Sequence, residues 1–153
     1  MELTYMNHEL TPDGYRLLFN RAARAISRLY NRHLIWASLT VGQYCILTAV
    51  LKSGPITLRD LGDALVIERS ALLRALKPLS TAGLLQSTAA PSNQRRILLE
   101  MTPSGEDRVR LAASGIRAAG LEIEGRYGKI ANAGVEDILL RFAGEAGIAI
   151  EAT

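Results

Sequence analysis

The sequence predicts a mainly α-helical chain with one small β-hairpin and a long helix towards each end. Three observations carry this. Apolar residues recur every three or four positions from Tyr15 to Tyr30 and from Ile138 to Phe142, the period of one helical face. Thr11-Pro12, Thr40, Thr57 and Thr102-Pro103 are helix-start signals, each a hydroxyl cap, two of them followed by a proline. Between Gly83 and Thr102 lie two short apolar runs separated by the turn-like, proline-bearing segment 89–94.

The elements follow in order. Thr11 caps a first helix whose apolar face is Tyr15, Leu18, Ala22, Ala25, Ile26, Leu29 and Tyr30, running to about Trp36. Thr40 and Gln43 have the spacing of a capping box and open a second helix through Tyr44, Ile46, Leu47 and Val50. Ser53-Gly54-Pro55 stops it. Thr57 and Asp60 repeat the box spacing for a short helix to Leu65, and Val66-Ile67 connect to a helix from Glu68 to about Ala82. Gly83 supplies the left-handed C-cap. Leu84–Thr88 and Arg95–Met101 suit two strands. Thr102-Pro103 then start a long helix to about Ile130, Ala131–Gly134 break it, and Val135 to about Ala149 form the last, with Ile138, Leu139, Phe142 and Ala146 on one face.

The chain has 153 residues, enough for one compact domain with a real core. Hydrophobic residues are 48% and aromatics 5%, so the chain folds and Leu, Ala, Ile and Val build its core. The net charge of +3 is unevenly spread: residues 52–110 carry nine Lys/Arg against six acids, residues 111–153 four against six. A basic centre suits a partner rich in phosphate. One cysteine, Cys45, excludes an internal disulfide and fits a reducing cytoplasm. Met1–Thr11 lack a signal-peptide pattern, and no run approaches the length of a membrane span. A Gly-rich phosphate loop, a nucleophile elbow and paired catalytic carboxylates are all missing, so the expectation is not an enzyme, with no cofactor. His8 and His33 have no ligand at metal-site spacing, so no metal is expected.

The segment from Thr57 to Thr102 therefore reads as a winged helix-turn-helix. Leu58, Leu61, Ala64 and Leu65 line the inner face of a bracing helix. In the second helix Leu72, Ala75, Leu76 and Leu79 form an apolar back, Glu68, Arg69, Ser70, Arg74 and Lys77 fall towards the front or the ends, and Ala71 is a further candidate DNA contact. Arginine bonds guanine edges in pairs, serine bonds base or phosphate, and lysine meets phosphate as a point charge. Thr57 opens the brace at the same surface. Pro78 removes the N–H that would bond the Arg74 carbonyl. Asn93, Gln94, Arg95 and Arg96 read as the hairpin tip, where an arginine fits a narrow minor groove. Duplex DNA is the expected partner.

The run Leu61 to Gly105 resembles the MarR family of bacterial transcriptional regulators. Glu68-Arg69-Ser70-Ala71-Leu72-Leu73-Arg74 stands where that family has a segment like Asp-Arg-Ser-Thr-Leu-Thr-Arg, and Leu79 to Leu84 matches its Leu-x-x-x-Gly-Leu. Asn93-Gln94-Arg95 aligns with the wing's Asp-x-Arg, Met101 to Gly105 with Leu-Thr-x-x-Gly, and Leu39 to Gln43 with Leu-Thr-x-x-Gln. Three positions depart: Asn93 replaces an acid, and Ala71 and Leu73 replace hydroxyl residues. The resemblance implies a homodimeric repressor with winged helix-turn-helix heads, a pseudo-palindromic operator and release by a small aromatic or phenolic ligand. It divides the chain into an N-terminal dimerisation helix (1–38), a DNA-binding region (39–102) and C-terminal dimerisation helices (103–153), intertwined as one domain. It also places the effector between these parts, where Tyr30, His33 and Trp36 are the candidate contacts.

Two other functions fit the same residues: a winged-helix module that binds protein without DNA, and a redox-sensing regulator using Cys45. Cys45 lies between Tyr44 and Ile46 in an apolar helix, so a buried structural thiol is the expectation. The stripe Arg21, Arg24, Arg28 and Arg32 is expected to be solvated beside the dimer seam; pairing with Glu122, Glu124, Glu136 or Glu145 of a second subunit is the alternative.

Overall fold

The computed structural model describes residues 12–91, 93–129 and 134–145, and of residues 12, 13, 94, 95, 143 and 145 only the backbone. The expected Thr11 cap, the break at 131–133 and the helix end at 146–149 lie outside the described residues. Helices α1 (Pro12–Leu34), α2 (Val41–Ser53), α3 (Leu58–Leu65), α4 (Arg69–Thr81), α5 (Pro103–Tyr127) and α6 (Val135–Glu145) surround a small sheet of β1 (Ile56–Thr57), β2 (Leu85–Ala90) and β3 (Asn93–Met101). The sheet is antiparallel in the order β1-β3-β2. Among the described residues no single helix is long and apolar enough to cross a membrane.

The local start and stop signals act as the sequence predicts. Thr40 and Gln43 form a complete capping box: the Gln43 N–H donates to Thr40 Oγ1 at 3.2 Å and the Thr40 N–H to Gln43 Oε1 at 2.9 Å. At Thr57 only half the box exists. Its hydroxyl accepts from the Asp60 N–H and donates to the Asp60 carboxylate at 2.6 Å, because aspartate is too short to reach back to the cap N–H. Gly83, at φ 69°, ends α4 in a Schellman motif, with Leu84 N–H on the Leu79 carbonyl and Gly83 N–H on the Ser80 carbonyl.

Four expectations need correction. Helix α1 ends at Leu34, and Trp36 lies in a 3-10 turn, Ile35–Ala37. The strand β1 is not predicted by the sequence; two residues are too few to show a period, and only pairing with Leu98 and Leu99 defines them. Helix α5 stops at Tyr127, because Gly128 (φ 78°) turns its N–H back onto the Glu124 carbonyl. The hairpin is longer and tighter than expected, with strands reaching Ala90 and Asn93 and only positions 91 and 92 between them.

Leu34, Ile46, Leu47, Leu61, Leu72, Leu79 and Leu84 form the fully buried centre of the core, which joins α2, α3, α4 and the sheet to the N-terminal half of α5. A smaller cluster of Leu29, Ala119 and Ile123, with Tyr30 packed against it, ties α1 to α5. The rest of the apolar face expected on α1 is uncovered: Tyr15, Leu18 and Ile26 are exposed, as are Ile138, Leu139 and Phe142 on α6. Phe19 and Phe142 meet edge to face at 5.4 Å, joining the two exposed stripes.

The turn between α3 and α4 holds a strained residue. Val66 takes φ 53° and ψ 45° and is exposed. A β-branched side chain in this left-handed region costs of order 1–3 kcal/mol. Val66→Gly relieves the clash but frees the unfolded chain, and should raise the melting temperature by about 2–4 °C, the equivalent of roughly 1 kcal/mol for a chain of this size. An unchanged or lower value in a thermal melt would contradict this account.

Candidate nucleic-acid interface

Helix α4 turns its apolar back, Leu72, Leu76 and Leu79, into the core, with Ala71 and Ala75 half-buried at its edges. Arg69, Ser70, Leu73, Arg74 and Lys77 are all exposed on the opposite side. Close packing of the brace makes that presentation rigid. At Gly62 an added Cβ would sit 3.1 Å from the Ile67 carbonyl oxygen, so the turn folds tightly over a residue without a side chain. Pro78 is accommodated within α4, which continues to Thr81.

The wing differs from the expected form. Ala90 pairs with Asn93 and Ala89 with Ile97, so one step along β2 meets four along β3. Gln94, Arg95 and Arg96 thus form a bulge next to the tip, one pair below the turn at Pro91. Bulges re-aim side chains. Arg96 is carried towards the foot of α3, where Nη2 lies 3.7 Å from Asp60 Oδ2, and Arg59 lies 3.8 Å from Asp63. Both pairs are exposed and add little stability. They do hold basic and acidic groups around a groove of about 950 Å³ between α4 and the sheet, whose apolar lining includes Leu73 and Ile97. Thr57 also lines it, its hydroxyl engaged with Asp60.

Tyr30, His33 and Trp36 fall in three different environments. Tyr30 packs on the α1–α5 cluster, and Trp36 is exposed on the 3-10 turn. His33 Nε2 lies 2.6 Å from Glu122 Oε2. Glu122 also meets Arg32 at 2.9 Å and Arg126 at 2.5 Å, so this acid is paired within its own subunit. Pairing of the arginine stripe with Glu122 of a second subunit is therefore replaced, at Arg32, by an internal contact. The hydrogen bond from His33, helped by Arg126 and Arg32, holds the Glu122 carboxyl below the usual range. A depressed carboxyl stabilises the fold above its ordinary pKa, and the contribution disappears as pH falls through the depressed value, on the acid side of the usual carboxylate range. Glu122→Gln should flatten the fall of melting temperature in that acid window; an equally steep fall would remove Glu122 as its source.

Cys45 is exposed, not buried as expected, because it lies on the side of α2 away from Ile46 and Leu47. Its remaining burial pushes the thiol up, the opposite of the shift that activates a sensor cysteine. Among the described residues no group of three His, Cys, Asp or Glu could hold a metal ion.

Comparison with known proteins fits this geometry. A winged helix DNA-binding domain model matches residues 39–105. The multiple antibiotic resistance protein MarR of Salmonella typhimurium is 31% identical over 98 residues, covering 64% of this chain and 67% of that protein. A crystal structure of a cysteine-to-serine mutant of MarR from E. coli, complexed with operator DNA, superposes with a TM-score of 0.76 at 22% identity, over 88% of this chain and 95% of that one. A probable transcriptional regulator from Pseudomonas aeruginosa also gives 0.76, at 19% identity, over 85% and 97%. Fold, domain and sequence thus agree that this chain is a DNA-binding winged-helix regulator belonging to the MarR family.

Proposed function

We propose that the chain acts as a homodimeric repressor on a pseudo-palindromic operator and is released by a small aromatic or phenolic ligand. The observation that carries the reading is the exposed front of α4, where Arg69, Ser70, Arg74 and Lys77 surround Leu73 beside a wing bearing Arg95 and Arg96. The α4 helix enters the major groove; the wing arginines meet the backbone or minor groove alongside. The uncovered stripes of α1 and α6 supply the seam between two copies, and two-fold symmetry in the protein is mirrored in the operator. An effector that favours a reading-helix separation other than about 34 Å, one helical turn, lowers affinity by a population shift. Tyr30 and Trp36 are the more available effector contacts, since Glu122 already engages His33.

The test is enrichment of genomic duplexes on purified protein, followed by binding across a salt series. Affinity should fall steeply with salt as counterions leave each neutralised phosphate. Arg74→Ala should cost about 1–3 kcal/mol and relax sequence choice, while Lys77→Ala should weaken all duplexes alike and reduce the salt slope by about one. Failure to retain any duplex even at low salt would overturn the repressor reading and leave a protein-binding module.

A further inference from the structure

We propose that Leu73 is a base-reading residue that takes the methyl group of a thymine in the major groove. The inference rests on the DNA-binding reading above and extends it to one position of the operator. Leu73 is 49% exposed, although the buried side of α4 belongs to Leu72, Leu76 and Leu79. Of its four neighbours three and four residues away on the helix, Arg69, Ser70 and Lys77 are exposed and polar, and Leu76 is buried behind it. A large apolar side chain thus stands among the groups expected to meet phosphates and base edges.

The chemistry of the groove then narrows its partner. The major-groove edges of guanine, adenine and cytosine present only donors and acceptors at the hydrogen-bonding positions, whereas thymine adds a C5 methyl group. Leucine offers neither donor nor acceptor. Against cytosine it would strip water from the N4 amino group and return no hydrogen bond, which carries the cost of an unsatisfied buried donor. Against thymine it covers a methyl group and strands nothing. Leu73 can also reach a base without distorting the helix, since it sits on an ordinary turn of α4, eight residues before its C-terminus at Thr81.

The test uses the tightest duplex from the enrichment, with each thymine replaced in turn by uracil, which removes only the methyl group. Binding of wild type and Leu73→Ala is measured to every duplex. At one thymine per half-site, uracil should weaken wild type about fourfold, the value of roughly 0.8 kcal/mol for one methylene-sized group. Leu73→Ala should bind the thymine and uracil forms alike. The inference is overturned if wild type tolerates uracil everywhere, or if Leu73→Ala loses as much as wild type at the same position. Either result leaves DNA binding intact. If the unsubstituted duplex is itself not bound, both readings fail together. Because Leu73 lies outside the core, the variant keeps its fold, which circular dichroism checks.

Discussion

Gly115→Ala should lower the melting temperature by roughly 2–12 °C, the equivalent of an overpacking cost of about 1–3 kcal/mol. Gly115 is buried where α5 crosses α1. A Cβ there would collide with the His33 carbonyl oxygen and lie 3.4 Å from Leu34 Cδ2. The oxygen belongs to a helical backbone and cannot swing aside as a side chain would, so the helices must separate. That would pull His33 from Glu122 and loosen Leu29 from Ala119. Gly125 in the same helix has nothing within 4 Å of the place a Cβ would take, so Gly125→Ala should raise the melting temperature, alanine being better than glycine in a helix by up to about 1 kcal/mol. Opposite signs from one substitution in one helix isolate the crossing. Equal melts for Gly115→Ala and wild type would show that α1 and α5 part without cost.

In the homodimer proposed above, Leu139→Asp should shift dimer to monomer and reduce affinity for the proposed operator about 100-fold or more, the loss expected when two linked contacts become independent. Leu139 is exposed on α6, in the stripe that includes Ile138 and Phe142. Phe142 of that stripe meets Phe19, while Ile138, Leu139 and Phe142 each keep about half of their surface exposed. A carboxylate would have to be desolvated in any seam that buries Leu139. Sedimentation equilibrium at micromolar concentration reads the mass, and circular dichroism should stay near wild type because the main core does not involve α6. A dimer of undiminished stability would move the seam elsewhere.

Most of the scaffold is legible in the sequence because its signals are local. The Thr40 cap, the Gly83 stop and the apolar back of α4 need only neighbouring residues to act. What escapes depends on partners distant in sequence. The β1 strand exists only through Leu98 and Leu99, and the wing bulge only through its register with Ala89 and Ala90. Arg96 reads as a tip residue until that bulge carries it to Asp60. Glu122 looks available to another subunit, yet Arg32 and His33, some ninety positions away, hold it at home. The faces of α1 and α6 are legible as apolar, and among the described residues they stay exposed.

The joint between α4 and α5 has a mechanical consequence. The Thr102 hydroxyl donates to the Gly83 carbonyl at 2.6 Å and accepts from the Gly105 N–H at 3.0 Å, and the Thr102 N–H meets the Leu84 carbonyl at 3.2 Å. Gly105 fits against that carbonyl with no room for a side chain. One residue thus bolts the end of the reading helix to the start of a 25-residue rod. At 1.5 Å per residue the rod is about 37 Å long, so a swing of about 5° at the joint carries its far end about 3 Å. With three hydrogen bonds and no space for a side chain at Gly105, a tilt of the rod about this joint has to be shared by α4: the two helices are coupled as a handle is to its head.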